Sequence, residues 1–310
     1  MRVLVTGGAG FIGSNLVDQI KLDNPGCELI VLDDLSSGTE ANLAHSGVEV
    51  VFESILDDRV LRLAMHGVDA VVHLAARPSV PRSIAEPEPA HEINATGTFR
   101  VLEAARMAGA PHVIVASSSS VYGANPILPK NEDLATRPVS PYAASKLAAE
   151  AYTLAWGHSY GLPVLAFRFF NVFGPRQRAG HAYAAAIPTF IDAALKGNPV
   201  PLFGDGSQSR DFTYVESVCR VISDAITRRV TCASPVNLAF GSNITLNTVI
   251  SRIEAQLGKR IEVDRLPSRA GDVPHSQADN ARLRELFPAV EPVDFESGLA
   301  KTIDWFRANP

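Results

Sequence analysis

Tyr142 and Lys146 are the residues whose types and spacing most directly suggest catalysis. They lie four residues apart in a stretch that is predicted to be helical over 141–158, so both side chains leave the same face of the helix. A free tyrosine, with a pKa of about 10, is a poor base at neutral pH, but a nearby positive charge favours the phenolate. The pair therefore suggests a general base. The alternative for such a spacing is a half-buried tyrosine beside a solvated lysine.

A glycine-rich turn follows the first apolar run of the chain. Residues 2–6 lead into Gly7, Gly10 and Gly13, and a helix is expected over about 11–21. A strand, a glycine turn and a helix N-terminus in this order can bind the pyrophosphate of a dinucleotide through backbone N–H groups. The residue after Gly13 is Ser14 rather than lysine, which excludes a nucleotide-binding P-loop.

Asp33 ends the second apolar run, twenty residues after Gly13. A carboxylate at this point can accept hydrogen bonds from a ribose diol, and it would repel a 2′-phosphate. The stretch between Asp33 and Gly47 contains no arginine or lysine. The sequence therefore predicts NAD rather than NADP as the cofactor.

Short apolar runs alternate with helical stretches over the first 170 residues. Strands are predicted at 2–6, 28–33, 48–52, 69–75, 112–117 and 163–169, with helices at 58–66, 91–108 and 141–158. Residues 77–89 contain four prolines and are expected to form a loop. The alternation predicts an α/β fold with a Rossmann-type doubly wound parallel sheet.

The pattern changes after residue 170, where prolines and glycines interrupt it. A smaller C-terminal substrate-binding lobe is expected there, with the run at 235–239 rejoining the main sheet. We predict an NAD-binding Rossmann domain at 1–170 and 212–241, and a nucleotide-binding lobe at 171–211 and 242–310. A chain that crosses between two lobes forms a cleft, which is a common place for a ligand.

Composition excludes several classes of protein. The net charge of −5 argues weakly against nucleic acid or an anionic membrane as a partner. The chain has three cysteines, Cys27, Cys219 and Cys232, and no two of them form a CxxC motif. This usage is typical of a protein in a reducing cytoplasm. The residues after Met1 do not have the pattern of a signal peptide, and no apolar run reaches transmembrane length, so neither is expected. The eight histidines have no metal-binding spacing, so no metal is expected.

Taken in order, the motifs of the chain resemble those of the extended short-chain dehydrogenase/reductase family, and within it the UDP-hexose 4-epimerases. The resemblance covers essentially the whole chain. It rests on the glycines at 7–13, His73-Leu-Ala-Ala76, Asn94 in Asn-Ala-Thr-Gly97, the serine run and Val-Tyr-Gly at 117–123, Tyr142 with Lys146, residues 168–175, Arg210-Asp-Phe212 and Arg269-Ala-Gly-Asp272.

The resemblance implies a tightly bound NAD. Family members usually end the third strand with an aspartate that binds adenine, whereas this chain has Glu53-Ser54-Ile55, so that Ser54 or a backbone group would take over that contact. The residues implied for cofactor binding are Gly7, Gly10, Phe11, Ile12, Gly13, Asp33, Ser54, Ile55, Leu74, Ala75, Ala76, Asn94, Tyr142 and Lys146.

The implied catalytic residues are Ser118, Tyr142 and Lys146. The Ser118 hydroxyl would bridge the sugar 4-hydroxyl and Tyr142, and Lys146 would hydrogen-bond the nicotinamide ribose. Tyr142 would take the proton of the 4-hydroxyl while the C4 hydride passes to NAD, and the keto sugar would then turn and regain the hydride on its other face. Dehydratases of the family carry an Asp-Glu pair where this chain has Ser119 and Ser120, which disfavours dehydration.

The resemblance also implies the substrate-binding residues. Arg210 and Arg269 would offset the diphosphate charge, and Phe203 would lie beside the uracil. The small Ser276 suggests room for N-acetylated sugars as well as UDP-glucose and UDP-galactose, whereas Arg178 would either reach a C6 carboxylate or be a solvated loop arginine. The whole implied set is Ser118, Ser119, Asn171, Arg178, Ala186, Phe203, Arg210, Arg269, Asp272 and Ser276.

Several alternatives to a UDP-glucose-type 4-epimerase stay open. They are a UDP-glucuronate 4-epimerase, a nucleotide-sugar reductase or decarboxylase of the same fold, and a non-catalytic NAD-binding sensor or scaffold. The resemblance further implies a homodimer formed by the helices at 91–108 and 141–158, whose alanines permit close packing.

Overall fold

The computed structural model describes residues 1–179, 184–268 and 273–309. Its strands are β1 (Arg2–Thr6), β2 (Glu28–Leu32), β3 (Glu49–Val51), β4 (Ala70–His73), β5 (His112–Ser118), β6 (Val164–Phe169), β7 (Asn171–Phe173), β8 (Val200–Phe203), β9 (Ser209–Arg210), β10 (Phe212–Tyr214), β11 (Val236–Leu238), β12 (Ile244–Thr245) and β13 (Val263–Leu266).

The helices alternate with these strands. They are α1 (Phe11–Asp23), α2 (Asp58–Ala64), α3 (Val80–Ala85), α4 (Pro87–His91), α5 (Gly97–Met107), α6 (Pro141–Tyr160), α7 (Ala186–Lys196), α8 (Val215–Arg228), α9 (Leu246–Leu257), α10 (Ala281–Leu286) and α11 (Phe295–Ala308). A π-helical turn, Glu92–Thr96, joins α4 to α5, and the 3-10 turn Ser119–Tyr122 follows β5.

Seven parallel strands form the central sheet, in the order β11-β6-β5-β4-β1-β2-β3. The strand order reverses between β1 and β4, which is the point where ligands bind in sheets of this kind. Thr6 is in register with Leu32 on one side and His73 on the other. The residues that follow these three strands therefore meet at one edge, and the predicted doubly wound parallel sheet is confirmed.

Each face of the sheet is covered by its own hydrophobic cluster, because side chains alternate along a strand. Val3 and Val5 belong to a cluster with Leu16 of α1 and Ile222 of α8. Leu4 points to the other face, in a cluster that contains residues of α2 and α5. The inner strands are buried on both sides, as their continuous apolar runs predict, whereas the edge strand β3 is partly exposed.

The chain after Asn171 builds three short strand pairs. β7 pairs with β10 and β8 with β13 in parallel, and β9 pairs with β12 in antiparallel fashion. Helices α7, α9 and α11 pack on them, and their apolar residues continue the cluster on the α1 and α8 face of the large sheet. The division of the chain into two domains at the boundaries given above stays a prediction.

Two expectations about residues 77–108 were wrong. The proline-rich stretch contains α3 and α4 instead of a loop, because proline fits the first turn of a helix, and each of these helices has a proline there. The stretch expected as one helix over 91–108 begins as the π-helical turn Glu92–Thr96 before α5. The candidate site makes use of both features.

Among the described residues, no helix is long and apolar enough to cross a membrane.

Candidate active site

Tyr142 lies in the first turn of α6, whose start is fixed from two sides. The Ser140 hydroxyl accepts a hydrogen bond from the backbone N–H of Ala143 at 3.1 Å and thereby caps the helix. The buried Ser83 of α3 accepts the N–H of Tyr142 at 3.0 Å. Because both capping groups are anchored in the fold, the position of the tyrosine along the helix is fixed.

Ser118 ends β5 and lies beside the tyrosine. Its hydroxyl oxygen accepts hydrogen bonds from the backbone N–H of Ser120 at 3.2 Å and from the Ser120 hydroxyl at 2.9 Å. Its own proton is therefore directed elsewhere. Burial raises the pKa of Tyr142, and a hydrogen bond with Ser118 opposes that rise. The serine is thus within hydrogen-bonding reach of the phenol.

Lys146 follows Tyr142 by one helical turn and is almost completely buried. Its ammonium donates to the carbonyl of Ala116 in β5 at 2.9 Å. Burial lowers the pKa of Lys146 to about 8. The sequence expectation that Tyr142 and Lys146 share one face of a helix is confirmed, and strand β5 holds both the serine and the partner of the lysine.

His73 connects the strands below this site. Its Nδ1 lies 2.7 Å from the Thr6 hydroxyl and its Nε2 lies 3.0 Å from the hydroxyl of Thr98, which donates to the Asn94 carbonyl at 2.6 Å. The pKa of His73 is lowered to about 3, mainly by burial and further by the nearby Lys146 ammonium. The network assigns a neutral ring with the proton on Nε2, so His73 acts as a structural link.

Asn94, in the π-helical turn, ties three elements together. Its side chain accepts the N–H of Arg77 at 2.8 Å, and its amide nitrogen donates to the Arg77 carbonyl at 3.2 Å. The same amide nitrogen donates to the hydroxyl of Ser145 in α6 at 2.9 Å. The residue therefore supports the segment after β4, where Leu74, Ala75 and Ala76 lie, against the catalytic helix.

A buried ion pair lies behind Ser118. Arg168 of β6 donates to the two oxygens of Glu150 in α6, at 2.6 and 2.9 Å, and both side chains are 4% exposed. The Ser117 hydroxyl donates to the same carboxylate at 2.7 Å, and the guanidinium carbon of Arg168 lies 4.7 Å from the centre of the Tyr122 ring. This bidentate pair fixes α6 to the sheet one turn beyond Lys146.

The glycine turn forms a cradle that larger residues would fill. Gly7 has φ +74°, and a Cβ on it would lie 2.6 Å from the backbone nitrogen of Ala75. A Cβ on Gly13 would lie 2.3 Å from the Gly7 carbonyl oxygen. No side chain caps the start of α1 at Gly10, so the N–H groups of Phe11, Ile12 and Gly13 stay available to an anion. These residues fit a dinucleotide pyrophosphate.

Asp33 lies at the edge of the same crevice. Its carboxylate accepts the N–H groups of Ala9 and Leu35, both at 2.9 Å. Burial raises the pKa of Asp33. The crevice beside it is lined by Gly7, Leu32, Asp33, Asp34, Ser36, Ser37, Glu53, Ile55, Ala75, Ala76 and Ile93.

Glu53 is a residue of this crevice that the sequence reasoning missed. Glu53 lies at the bend that follows β3, and it lines the crevice together with Ile55. Ser54 lies between them, and its hydroxyl accepts the N–H of Leu56 at 3.2 Å. The sequence pattern does not predict the bend that brings Glu53 into the crevice. The adenine role of Ser54 stays a prediction.

A cavity of about 570 Å³ opens beside Ser118. Ser118 and Ser119 line it on the side of the large sheet, and Asn171, Arg210 and Ser276 line it on the other side. Lys130 and Asn125 also contribute to this wall, and nothing in the sequence motifs pointed to either of them. The structure thus brings together predicted catalytic and substrate-binding residues from distant parts of the chain.

A second cavity, of about 230 Å³, adjoins the first and shares Asn171 and Arg210 with it. Phe203 and Ala186 line this second cavity. The Arg210 guanidinium donates to the carbonyls of Ser209 at 2.9 Å and Pro274 at 3.2 Å. Two adjoining cavities that share Arg210 suit a ligand with two parts, one in each cavity, whose connecting group lies beside the arginine.

Three predicted residues need separate mention. The Arg178 guanidinium donates to the carbonyl of Gly38 at 3.2 Å, beside the glycine turn, and Arg178 does not line either of the two cavities described above. Arg269 and Asp272 lie outside the described residues. The binding roles of all three stay predictions.

The fold and the site together define a class of protein. A parallel sheet with this strand order, a glycine cradle at its switch point and a Ser-Tyr-Lys group beside it are the features of a dinucleotide-dependent enzyme of the short-chain dehydrogenase type. Residues 3–239 match the NAD dependent epimerase/dehydratase family, and the chain belongs to that family.

Relatives extend the match over the whole chain. It is 39% identical to the UDP-glucose 4-epimerase of Mycolicibacterium smegmatis, with 99% of both chains covered. A UDP-N-acetylglucosamine 4-epimerase from Methanobrevibacter ruminantium, solved in complex with UDP-N-acetylmuramic acid, has a TM-score of 0.93 at 38% identity and covers 100% of this chain and 99% of its own. The UDP-glucose 4-epimerase of Thermus thermophilus, solved in complex with NAD, has a TM-score of 0.91 at 35% identity with both chains fully covered.

Proposed function

We propose that the protein is an NAD-dependent UDP-hexose 4-epimerase that interconverts UDP-glucose and UDP-galactose, and also their N-acetylated counterparts. The observation that carries this proposal is the hydrogen bond between Tyr142 and Ser118, because Ser118 lines the large cavity at the end of β5, two strands from the glycine cradle that follows β1. A group able to move a proton lies where a sugar hydroxyl and a cofactor would meet. The epimerase relatives support the same reaction.

The cofactor supplies one part of the chemistry. Bound NAD would supply a hydride acceptor for the sugar C4 and, once reduced, the donor that restores the hydride on the opposite face. Because the electrons are returned, the reaction needs no second substrate, and we expect NAD to remain bound between turnovers. The glycine cradle, the uncapped start of α1 and the Asp33 carboxylate would hold it.

The residues of this chain would manage the proton of the 4-hydroxyl. Ser118 accepts two hydrogen bonds from Ser120, so its own proton can point to the Tyr142 oxygen or to the sugar. Burial raises the pKa of Tyr142, so the unliganded phenol keeps its proton at neutral pH. A cationic nicotinamide beside the phenol would lower that pKa again, so proton removal becomes linked to an oxidised cofactor.

The second cavity suits the nucleotide. Phe203 offers an aromatic face for a uracil ring, and Arg210 stands where the two cavities meet, which is where a diphosphate would lie. Ser276 and Ala186 are small, and this favours acceptance of an N-acetyl group. Ser119 and Ser120 offer no acid for the elimination of water, which disfavours a dehydratase.

The proposal is tested with purified protein and no added cofactor. UDP-glucose, UDP-N-acetylglucosamine and UDP-glucuronate are incubated separately, and NMR follows the proton signals at C4. We expect interconversion of the 4-epimers without accumulation of NADH. A protein that binds NAD and UDP but converts no sugar in the panel would support the sensor or scaffold alternative instead.

We also propose a homodimer. Phe99, Tyr152, Trp156 and Tyr160 form edge-to-face contacts along α5 and α6, with ring centres 5.3 to 5.8 Å apart. Three of these rings are 39% or more exposed, and such a cluster is suited to a second copy of the same two helices.

Sedimentation should give a dimer for the native chain and for Leu22→Glu in the exposed part of α1, and a monomer for Phe99→Glu. A dimer of unchanged stability in Phe99→Glu would refute this arrangement.

A cytoplasmic location is the remaining part of the proposal. The three cysteines are free, which is the state expected in a reducing compartment. Growth of cells that express a tagged chain, followed by fractionation, tests it directly.

A further inference from the structure

Lys130 is a buried cation in the wall of the large cavity. Only 6% of the residue is exposed, and it lines the cavity together with Asn125 and Ser276. Its backbone is held by the segment that follows Ser276: the N–H of Lys130 donates to the Gln277 carbonyl, and the N–H of Asp279 donates to the Lys130 carbonyl, both at 2.8 Å. The lysine is therefore a fixed part of the site.

The position of Lys130 in the cavity identifies which part of a ligand it would meet. Asn171 and Arg210 are shared with the second cavity, so they mark the end at which a nucleotide would continue. Lys130 and Asn125 line the large cavity alone, as do Ser118 and Ser119. The lysine therefore lies in the cavity that contains Ser118, which is the one that would hold the sugar.

The ammonium of Lys130 has spare hydrogen-bonding capacity. It donates to the backbone carbonyl of Asn125, and it has three protons to donate. In the described part of the chain no carboxylate lies within 4.0 Å of it. Glu132, two residues further on, accepts the N–H of Asn237 at 2.8 Å and lies 4.0 Å from Arg282, so its charge is used elsewhere. Burial lowers the pKa of Lys130, as expected for an ammonium without a counter-ion.

We propose that Lys130 forms an anion-binding subsite for a carboxylate carried by the sugar of the substrate. This inference rests on the proposed function and narrows its substrate class to include acidic UDP-sugars. A buried ammonium without an acid partner is costly, and a carboxylate on the ligand would satisfy it with charge-assisted hydrogen bonds. Neutral hexoses leave the ammonium with its carbonyl partner and water.

Lys130 and Arg178 are rival partners for such a carboxylate. The Arg178 guanidinium contacts Gly38 beside the dinucleotide crevice, whereas Lys130 lies in the cavity wall itself. The cavity of about 570 Å³ falls within the range of roughly 300–1,000 Å³ for ligand pockets, which leaves space beside a hexose for a substituent. A carboxylate could come from C6, as in UDP-glucuronate, or from an ether substituent, as in UDP-N-acetylmuramate.

The experiment compares dissociation constants for matched pairs of ligands. Calorimetry on the NAD-loaded protein would use UDP-glucuronate against UDP-glucose, and UDP-N-acetylmuramate against UDP-N-acetylglucosamine. We expect Lys130→Met to raise the Kd of at least one acidic ligand by about tenfold relative to its neutral partner, and Lys130→Gln to do the same. The pair that responds identifies the position of the carboxylate.

Arg178→Met tests the rival partner, and it should change neither acidic-to-neutral ratio of Kd values by more than about twofold. The inference would be overturned if both Lys130 variants changed the Kd of acidic and neutral ligands equally. It would also be overturned if only Arg178→Met weakened the binding of acidic ligands relative to neutral ones. Thermal unfolding of each variant confirms that the comparison is made on folded protein. If the native chain binds UDP-glucose and epimerises it but Lys130 has no selective effect, only this inference fails. If no UDP-sugar binds, the proposed function fails with it.

Discussion

The two walls of the large cavity are built in different ways. On one side Ser118 lines the cavity from β5 of the seven-stranded sheet. Its hydrogen-bonding partner Tyr142 comes from α6, which buried hydrogen bonds and an ion pair hold against that sheet. Arg210 and Ser276 come from a two-residue strand and the segment beside it, joined through the Ser209 carbonyl that accepts the N–H of Ser276 at 3.1 Å. The first wall has the precision that proton transfer needs, whereas the second can vary with the ligand. Substitutions in the first wall should therefore change turnover or folding, and those in the second should change affinity.

The largest effect is expected at the phenol. Tyr142→Phe removes the hydroxyl that transfers the proton, so kcat should fall by about 10²–10⁴-fold. The Kd of UDP, measured by calorimetry, should change by less than about threefold, because UDP does not depend on that group. Tyr152→Phe, on the exposed side of the same helix, is the control with unchanged kcat. Near-normal turnover in Tyr142→Phe would show that this hydroxyl does not transfer the proton, and the two walls would then not differ in the way described.

The buried ion pair should dominate stability on the same side. Arg168→Met leaves the Glu150 carboxylate buried without its partner, and the free energy of unfolding should fall by about 3–5 kcal/mol. Arg220→Met breaks an exposed pair with Glu216 on α8 and should cost less than about 1 kcal/mol. Urea unfolding of the two variants measures both values. Equal losses of unfolding free energy in the two variants would show that the buried ion pair does not hold the first wall.

Arg210 tests the opposite wall. Arg210→Met removes charge-assisted hydrogen bonds to a diphosphate, so KM for UDP-glucose should rise by about ten- to a hundredfold. The value of kcat should stay within about threefold, because in the proposed site the arginine binds the diphosphate and not the reacting hydroxyl. Arg260→Met, on a side chain that is 95% exposed, is the matched control in steady-state kinetics. A fall in kcat with KM unchanged would contradict the division of roles.

The smallest effect is expected at Asp211, next to Arg210 of the second wall, where the free energy of unfolding should depend on pH. Its buried carboxylate accepts the N–H groups of Gly241 and Ala278 at 3.0 and 3.1 Å, and burial raises the pKa of Asp211 to about 6. A raised carboxyl pKa favours the folded state at low pH, and that contribution is lost as the pH rises through about 6. From pH 7 to pH 5 the native chain should therefore gain about 1 kcal/mol of unfolding free energy relative to Asp211→Asn. The same pH dependence in both proteins would contradict the assignment.

The sequence predicted the first wall better than the second. Periodicity and the glycine spacing identified the strands, the switch point and α6, since these follow from local patterns. The motif order then pointed to Ser118, Tyr142 and Lys146, and the structure joins Tyr142 to Ser118 and Lys146 to the same strand, with Ser118 lining the large cavity. Regular secondary structure converts a spacing in the sequence directly into a shared face.

The remaining features depend on contacts that are distant in sequence. Lys130 enters the site because its backbone pairs with Gln277 and Asp279, and no local pattern predicts that pairing. The helices α3 and α4 were missed because prolines that usually mark loops begin short helices here, one of which supplies the Ser83 cap for Tyr142. Glu53 enters the crevice through the bend after β3, which the sequence pattern does not predict, whereas Ser54 does not line the crevice.

The fate of the hydrogen at C4 tests the central claim most directly. UDP-glucose carrying deuterium at C4 is incubated with the purified protein in ordinary water, and the UDP-galactose formed is examined by NMR and mass spectrometry. If Tyr142 handles only the hydroxyl proton and the hydride returns within the site, the product keeps its deuterium at C4. Replacement of that deuterium by hydrogen from the solvent would contradict the account.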